Sequence, residues 1–477
     1  MVIFLCVLAL LVIFVAILAV NAAKCKVPVS ETKVEEVKLQ MDVNEKAERL
    51  AKLIRCKTVS NKDASLIDQS EFVKFKEVMK ELYPNVYSKA ELEEIAGGLL
   101  FKIKGESSEK PSVLMAHFDV VPVNEDKWDV DPFAGIIKDD FLWGRGTLDT
   151  KGSLFGVMEA AEELLKTDYV PKNDLYLAFG CNEEVAGDCC PTIVKTLKER
   201  GIKPAFVLDE GGAVLGANIS VFPHDIATIG IAEKGHMDVI LTAKGQSGHS
   251  SQPPVHTAVG ALAKDICKIE KKQFPMEVNE AIEYMVKGIA PYTPFAVRLI
   301  TANLWCFRPL LKFGCKFNKT SAALLRTSMA FTQLWGSNGA NVLASEAKAN
   351  INIRLAPGWS SEAALKRIEK IANDKNLTCK IANSAEATSI TKPEGKYWDI
   401  IKGAVEQNFE NTVTAPYLMV GGTDSRHFGE ISDTIFKFSP INCRGGLLGT
   451  IHSENERMRL DNIEPLINFF AVVMKNI

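Results

Sequence analysis

Short apolar runs that stop on an acid or a histidine recur along this chain, and they constrain its fold more than any other feature. Ser112-Val113-Leu114-Met115-Ala116 leads into His117-Phe118-Asp119, and Ala205-Phe206-Val207-Leu208 leads into Asp209. A third run, over 175–180, is followed by Glu183-Glu184. Asp149 lies in the glycine-flanked turn Gly144-Arg145-Gly146-Thr147-Leu148-Asp149-Thr150-Lys151-Gly152, and His452 closes the series. In an open α/β sheet the carboxyl ends of the strands converge on one crevice. Burying these runs as strands therefore gathers the polar groups. Imidazoles and carboxylates gathered this way suit Zn²⁺ or a similar divalent ion.

The chain has 477 residues, enough for two domains. A net charge of −3 with no basic stripe excludes a nucleic-acid-binding class. Eleven cysteines include no Cys-x-x-Cys pair, which argues against a thiolate zinc site. Met1 to Val20 is apolar without interruption, and the first charge is Lys24. That length can cross a bilayer. No basic residue precedes it, so residues 1–23 are expected to be an uncleaved single-pass anchor with an extracytoplasmic body. The alternative is cleavage among the small residues Ala19 to Ala23 and secretion. The sequons at Asn218, Asn318 and Asn376 point to the same side of the membrane.

Residues 24–44 are charged and poor in aromatics and read as a linker. Helical spacing predicts a helix over 43–55 and another over 152–166, between strands at 112–120, 175–180 and 205–209. Strand and helix alternate, which implies α/β architecture: a mainly parallel sheet flanked by helices. From Gly235 the pattern changes. Strands at 236–243, 328–335, 343–355 and 377–383 with helices at 257–272 and 361–374 give βαββαβ, the ferredoxin-like order. This reads as an inserted α+β lid domain over 235–391 that divides a catalytic domain of 45–234 and 392–477. Within it, 273–325 is an apolar insertion expected to add helices over the lid.

His117 and Asp119 are two apart and share a strand face. His117 reads as a ligand and Asp119 as the group that orients it. Asp149 can bridge two metals, and in isolation it reads equally as a helix cap. Adjacent Glu183 and Glu184 repel unless a cation lies between them or one is protonated. One then binds metal while the other serves as general base.

The strings Met115-Ala116-His117-Phe118-Asp119-Val120-Val121-Pro122, Gly144 to Asp149, Asn182-Glu183-Glu184, Asp209-Glu210-Gly211-Gly212, Gly248-His249-Ser250-Ser251 and Gly421-Gly422-Thr423-Asp424-Ser425-Arg426 resemble the co-catalytic zinc peptidases. That family includes aminoacylase, glutamate carboxypeptidase and carboxypeptidase S. The resemblance runs from about residue 45 to the C-terminus. It is nearest in the branch of carboxypeptidase S and the N-fatty-acyl-amino acid synthase/hydrolase.

The resemblance implies two Zn²⁺ ions bridged by Asp149, with His117 and Asp209 on one and Glu184 and His452 on the other. The metals share a hydroxide, Glu183 is the general base, and Asp119 stands behind His117. It further implies that His249 of the lid stabilises the oxyanion, in dimeric relatives across the dimer, and that Arg354 grips the substrate carboxylate. Asn341, Gly422 and Thr423 are weaker substrate contacts. Two departures stand out: Asn182 where many relatives carry Asp, and Ser453 where they often have Gly. The expected activity is zinc-dependent carboxypeptidase cleavage of small peptides. One alternative is hydrolysis or synthesis of long-chain N-acyl amino acids. The other, an inactive membrane-tethered binding protein, sits poorly with an intact Glu183. A homodimer through the lid follows by analogy.

Overall fold

The computed structural model describes residues 1–216 and 222–477, so the sequon at Asn218 lies outside the described residues. Its main sheet has eight strands in the order Glu91–Ile95, Gly98–Ile103, Asn173–Gly180, Ser107–His117, Phe206–Leu215, Ile435–Asn442, Asp225–Glu233 and Thr412–Met419. The pairings from Asn173–Gly180 to Ile435–Asn442 are parallel, Gly98–Ile103 and Glu91–Ile95 add an antiparallel edge, and Asp225–Glu233 joins antiparallel with Thr412–Met419 parallel beside it. Such a sheet must be covered on both faces, which is why its strands are apolar almost throughout.

Helix Lys151–Leu165 covers one face and is buried nearly all round. A helix buried on every side must hold its ionisable groups in pairs. Glu159, fully buried, accepts from Lys46 Nζ at 2.6 Å and Arg49 Nε at 2.7 Å. Both cations lie on helix Val43–Ile54, so this knot fixes that helix across the one that begins just after Asp149. The C-terminal helix Ile463–Asn476 packs on the same side, where Leu466 and Phe470 sit against Gly156. A Cβ at Gly156 would come within 2.8 Å of Leu466, so only glycine admits this approach.

The second sheet has the order Ser328–Trp335, Glu346–Leu355, Gly235–Lys244, Leu377–Ala385, antiparallel throughout. This is the ferredoxin-like arrangement expected from the element order. Burial alternates along Gly235–Lys244, and the inward side chains Met237, Val239 and Leu241 meet Leu262 and Ile368 from helices Ala258–Lys271 and Ser361–Ala372.

Two expectations change. The segment 273–325 does form helices, Glu280–Ile289, Phe295–Thr301, Leu304–Cys315 and Lys319–Leu325. They do not cover the second sheet. Ala281, Ile282, Val286, Leu304 and Leu325 join the core of the main sheet, because its edge strand Thr412–Met419 offers an apolar flank there. The stretch read as a linker has no helix or strand over 25–42, yet it is tied down. The amides of Glu31 and Thr32 donate to Asp399, that of Glu35 to Asn476 and that of Leu39 to Asn468.

Helix Val2–Lys24 is the one helix among the described residues long and apolar enough to cross a membrane, and it is almost wholly exposed. Its length and composition fit an anchor and a signal sequence alike.

Candidate active site

The parallel register decides what meets at the crevice. His117 ends its strand directly beside Gly180, which ends the next, so the turn carrying Glu183 and Glu184 starts level with the imidazole. Asp119 joins the two. Its carboxylate accepts the backbone N–H of Glu183 at 3.1 Å and of Glu184 at 3.2 Å. The same carboxylate lies 3.3 Å from His117 Nδ1, whose other near neighbour is the Asp119 carbonyl at 3.0 Å. This leaves Nε2 facing the cavity.

Asp149 stands at the centre. One carboxylate oxygen is 3.1 Å from His117 Nε2 and the other 3.1 Å from His452 Nε2. Glu184 Oε2 is 2.9 Å from the same His452 nitrogen. His117 is deeply buried, whereas His452 is half exposed at the mouth, in a left-handed backbone conformation with φ 57°.

The fourth carboxylate is not the expected one. Glu210, not Asp209, reaches His117 Nε2, at 3.3 Å. Phe206–Leu215 does not end at Asp209 but bulges there: Lys437 pairs with Asp209 and Phe438 with Gly212. A bulge re-aims side chains, and such features cluster beside active sites. Gly211, with φ 142°, lies in it. Asp209 turns the other way, where it accepts the N–H of Ser425 at 2.9 Å and of Glu210 at 2.9 Å. With both oxygens committed to the backbone, Asp209 acts as a clamp on the Thr423-Asp424-Ser425 turn.

The electrostatics describe a hole for a cation. Burial opposes charge on His117, but Glu210, Asp119 and Asp149 overcome it and raise its pKa well above the usual imidazole range. Hydrogen bonds to Asp149 and Glu184 raise His452 to about 10. Burial, with the charge of Asp149, pushes Glu210 up to about 8. Burial, with Glu210, Asp424 and Asp149, also pushes Glu183 well up, against the pull of His117. Carboxylates and imidazoles crowded this way must share protons or a metal. His117, Asp149 and Glu184 offer donor atoms close enough to hold one ion, as do His117, Glu183 and Glu210. Glu184 Oε1 is buried without a hydrogen-bond partner among the described residues, as an oxygen reserved for a metal would be. The residues therefore fit the divalent ions expected of them.

A cavity of about 560 Å³ opens beside Asp149 and Glu210. Gly422 and Thr423 line it, as do the apolar side chains of Leu215, Leu324, Met419 and Leu448. Thr423 is engaged already, for its hydroxyl donates to Glu233 at 3.0 Å. His249 and Asn341 are not brought to this cluster. They sit together at a separate two-stranded ribbon, Gly248–His249 against Val342–Leu343, where Ser250 N–H donates to the Asn341 carbonyl at 3.0 Å and the His249 ring bonds Ser251 among the described residues. Arg354 is exposed on Glu346–Leu355, paired in register with His236. Around it the fold assembles His236, Lys234 and Arg426, a basic group drawn from separate parts of the chain.

Glu456 also escaped the sequence reading. Fully buried, it accepts the N–H groups of Gly146 and Leu148 and pairs with Arg145. It lies four residues after His452, so the loop that carries one imidazole holds the loop that carries Asp149. Its only sequence signal is its place in Glu454-Asn455-Glu456, where a surface acid is the ordinary reading.

The chain matches the family model described as "Peptidase family M20/M25/M40" over residues 113–476. It is 34% identical over 443 residues to a Dictyostelium discoideum protein named "Probable carboxypeptidase S-like 2", covering 91% of this chain and 85% of that one. It is 32% identical over 436 residues to the N-fatty-acyl-amino acid synthase/hydrolase PM20D1 of Xenopus tropicalis, covering 90% and 85%. Among solved structures, an M20 family metallo-carboxypeptidase from Sulfolobus solfataricus aligns with a TM-score of 0.65 at 18% identity, covering 91% of this chain and 99% of that one. Family match and relatives agree with the strand-end geometry: this chain is a hydrolase that belongs to peptidase family M20/M25/M40.

Proposed function

We propose that this hydrolase is a zinc-dependent carboxypeptidase-type amidohydrolase, anchored by its N-terminal helix, that releases an amino acid from an amide-linked acyl group. The observation that carries this reading is Asp149, whose two oxygens each stand 3.1 Å from a different imidazole. That arrangement supports two zinc ions, with His117 and Glu210 on one side of Asp149 and Glu184 and His452 on the other. When bound, the pair would polarise the scissile carbonyl and acidify the attacking water. Glu183 then takes the proton from that water and returns it to the leaving amine. Its carboxylate lies 3.9 Å from His117 Nε2, at the edge of the cluster, a position that suits both steps. Asp119 fixes the tautomer of His117 and the position of Glu183 together.

Arg354 is the proposed carboxylate grip, supported by the cations gathered near it. Gly422 and Thr423 form the wall against the scissile bond. His249, with Asn341 beside it, has exposed geometry that suits donation into the site of a second copy, in a homodimer through the lid.

Between a small peptide and a long-chain N-acyl amino acid, the cavity favours the latter. Its Leu215, Leu324, Met419 and Leu448 lining suits an acyl tail, whereas a dipeptide backbone needs polar partners there. The test offers the full chain, with Zn²⁺, a blocked dipeptide and a long-chain N-acyl amino acid. Preference for the acyl compound supports this reading. Preference for the dipeptide returns the activity to peptide turnover, and cleavage of neither by the zinc-loaded protein would sink it.

A further inference from the structure

The helices between 280 and 325 carry a second apolar face that the fold leaves uncovered. On helix Leu304–Cys315, Leu304, Leu311 and Cys315 pack into the main core. Trp305, Leu310 and Phe313 lie on the other side and are 59%, 50% and 62% exposed. Phe317 and Phe295, just beyond and just before, are exposed as well. A surface helix in water keeps polar residues outward, and contiguous exposed apolar patches mark contact sites.

The neighbour of this face indicates what covers it. Asn303 Nδ2 donates to the Leu18 carbonyl at 3.1 Å, and Asn21 Nδ2 donates to Asn303 Oδ1 at 2.8 Å. Phe14 meets the Trp305 ring edge-on, with centroids 6.0 Å apart. The insertion is thus docked along the N-terminal apolar helix, not at its end. Phe14 lies about 15 Å from Lys24 along the axis at about 1.5 Å per residue. That is about half the hydrocarbon thickness of about 30 Å. With Lys24 at the interface, Trp305 is level with lipid tails. Arg308 is paired with Glu283, while Lys312, Lys316 and Lys319 alternate with the apolar residues of this face and can lay their stems along it with the ammonium groups at the headgroups.

We propose that the face of Phe295, Trp305, Leu310, Phe313 and Phe317 is buried in the same bilayer that takes the N-terminal helix. The catalytic body then rests on the membrane, not on a free tether. This rests on the anchor and acyl-substrate reading above. The same insertion supplies Thr320 and Leu324 to the active-site cavity, a few residues past Phe317. The insertion that meets the bilayer therefore also lines the site that takes the acyl substrate.

The test reconstitutes the full chain into phosphatidylcholine–phosphatidylserine vesicles with brominated acyl chains. Tryptophan quenching is compared between the wild type and Trp305→Phe. The expected result is a quenched component that Trp305→Phe removes. Protein that does not float with the vesicles shows that the anchor reading has failed, and the proposal with it. Protein that floats while Trp305 stays unquenched keeps the anchor and overturns the proposal, since the face then covers a second copy or another protein. In a second arm, Phe313→Ser/Phe317→Ser should slow hydrolysis of a long-chain N-acyl amino acid supplied in vesicles by about tenfold. A soluble short-chain analogue should be cleaved within about twofold of the wild-type rate. Equal losses on both substrates, or none on either, would overturn delivery from the bilayer.

Discussion

Glu456 accepts the backbone N–H of Asp149 at 3.2 Å and that of the preceding Leu148 at 2.7 Å. The group at the centre of the site is therefore held in place by a carboxylate from the loop that supplies His452. In the two-metal reading proposed above, both half-sites depend on this one buried acid, although it bonds neither imidazole among the described residues.

Glu456→Gln removes the charge that pairs with Arg145 and weakens acceptance from the amides of Gly146 and Leu148. Groups that support metal ligands from behind are commonly worth about 10–100-fold in metal affinity or activity. A loss in that range is expected, with weaker metal retention on dialysis against a chelator. Wild-type zinc retention in a folded Glu456→Gln protein would contradict this supporting role.

Glu183→Gln keeps the size of the side chain and removes its basicity. A general base contributes about 10²–10⁴-fold, so kcat should fall by that range while metal content by elemental analysis stays unchanged. Near-normal turnover would remove Glu183 from the chemistry.

Glu210 and Asp209 are neighbours with opposite assignments. Glu210→Ala should reduce bound metal from two equivalents toward one while the fold persists. Asp209→Asn should keep the metal but lower the melting temperature, because a buried acceptor of two amides is weakened at about 1–3 kcal/mol. The reverse pattern would restore Asp209 as the ligand.

Lys234 gives a pH signature. It is buried, and its ammonium donates to the carbonyls of Ala323 and Arg326. Burial, with Arg354 and Arg326 nearby, lowers its pKa from the ordinary lysine value of 10.5 to about 8. A folded pKa below the unfolded one means the unfolded chain binds more protons between these values, so stability rises with pH there. The penalty is full below about pH 8 and fades toward 10.5. The melting temperature should climb from about pH 8 to about pH 9.5 relative to Lys234→Met. Parallel curves for the two proteins would show that another group governs this range.

The cavity wall supplies a test of the tail site. Leu324→Trp fills space in the cavity that Asp149 and Glu210 also line, while both carboxylates are kept. It should raise KM for long-chain N-acyl amino acids and leave that for a short-chain analogue nearly unchanged. Equal effects on both would place the acyl tail elsewhere.

The sequence by itself determined the two sheets and the convergence of His117, Asp149, Glu183, Glu184 and His452. Those features follow from local rules. Apolar runs of strand length must be buried, the ferredoxin-like alternation is readable residue by residue, and parallel strands deliver their carboxyl ends to one side. Only the tertiary structure decided between Asp209 and Glu210. The family resemblance put Asp209 on the metal, but pairing with Ile435–Asn442 slips at Glu210 and Gly211. That strand arrives from more than two hundred residues away in the chain, so no local pattern announces the bulge. Glu456 was hidden for the same reason: its donors lie in Gly144 to Asp149, and an acid is read as exposed until its partners are known. The placement of 273–325 likewise depended on which sheet left an edge uncovered, a property of the assembled core and not of the segment.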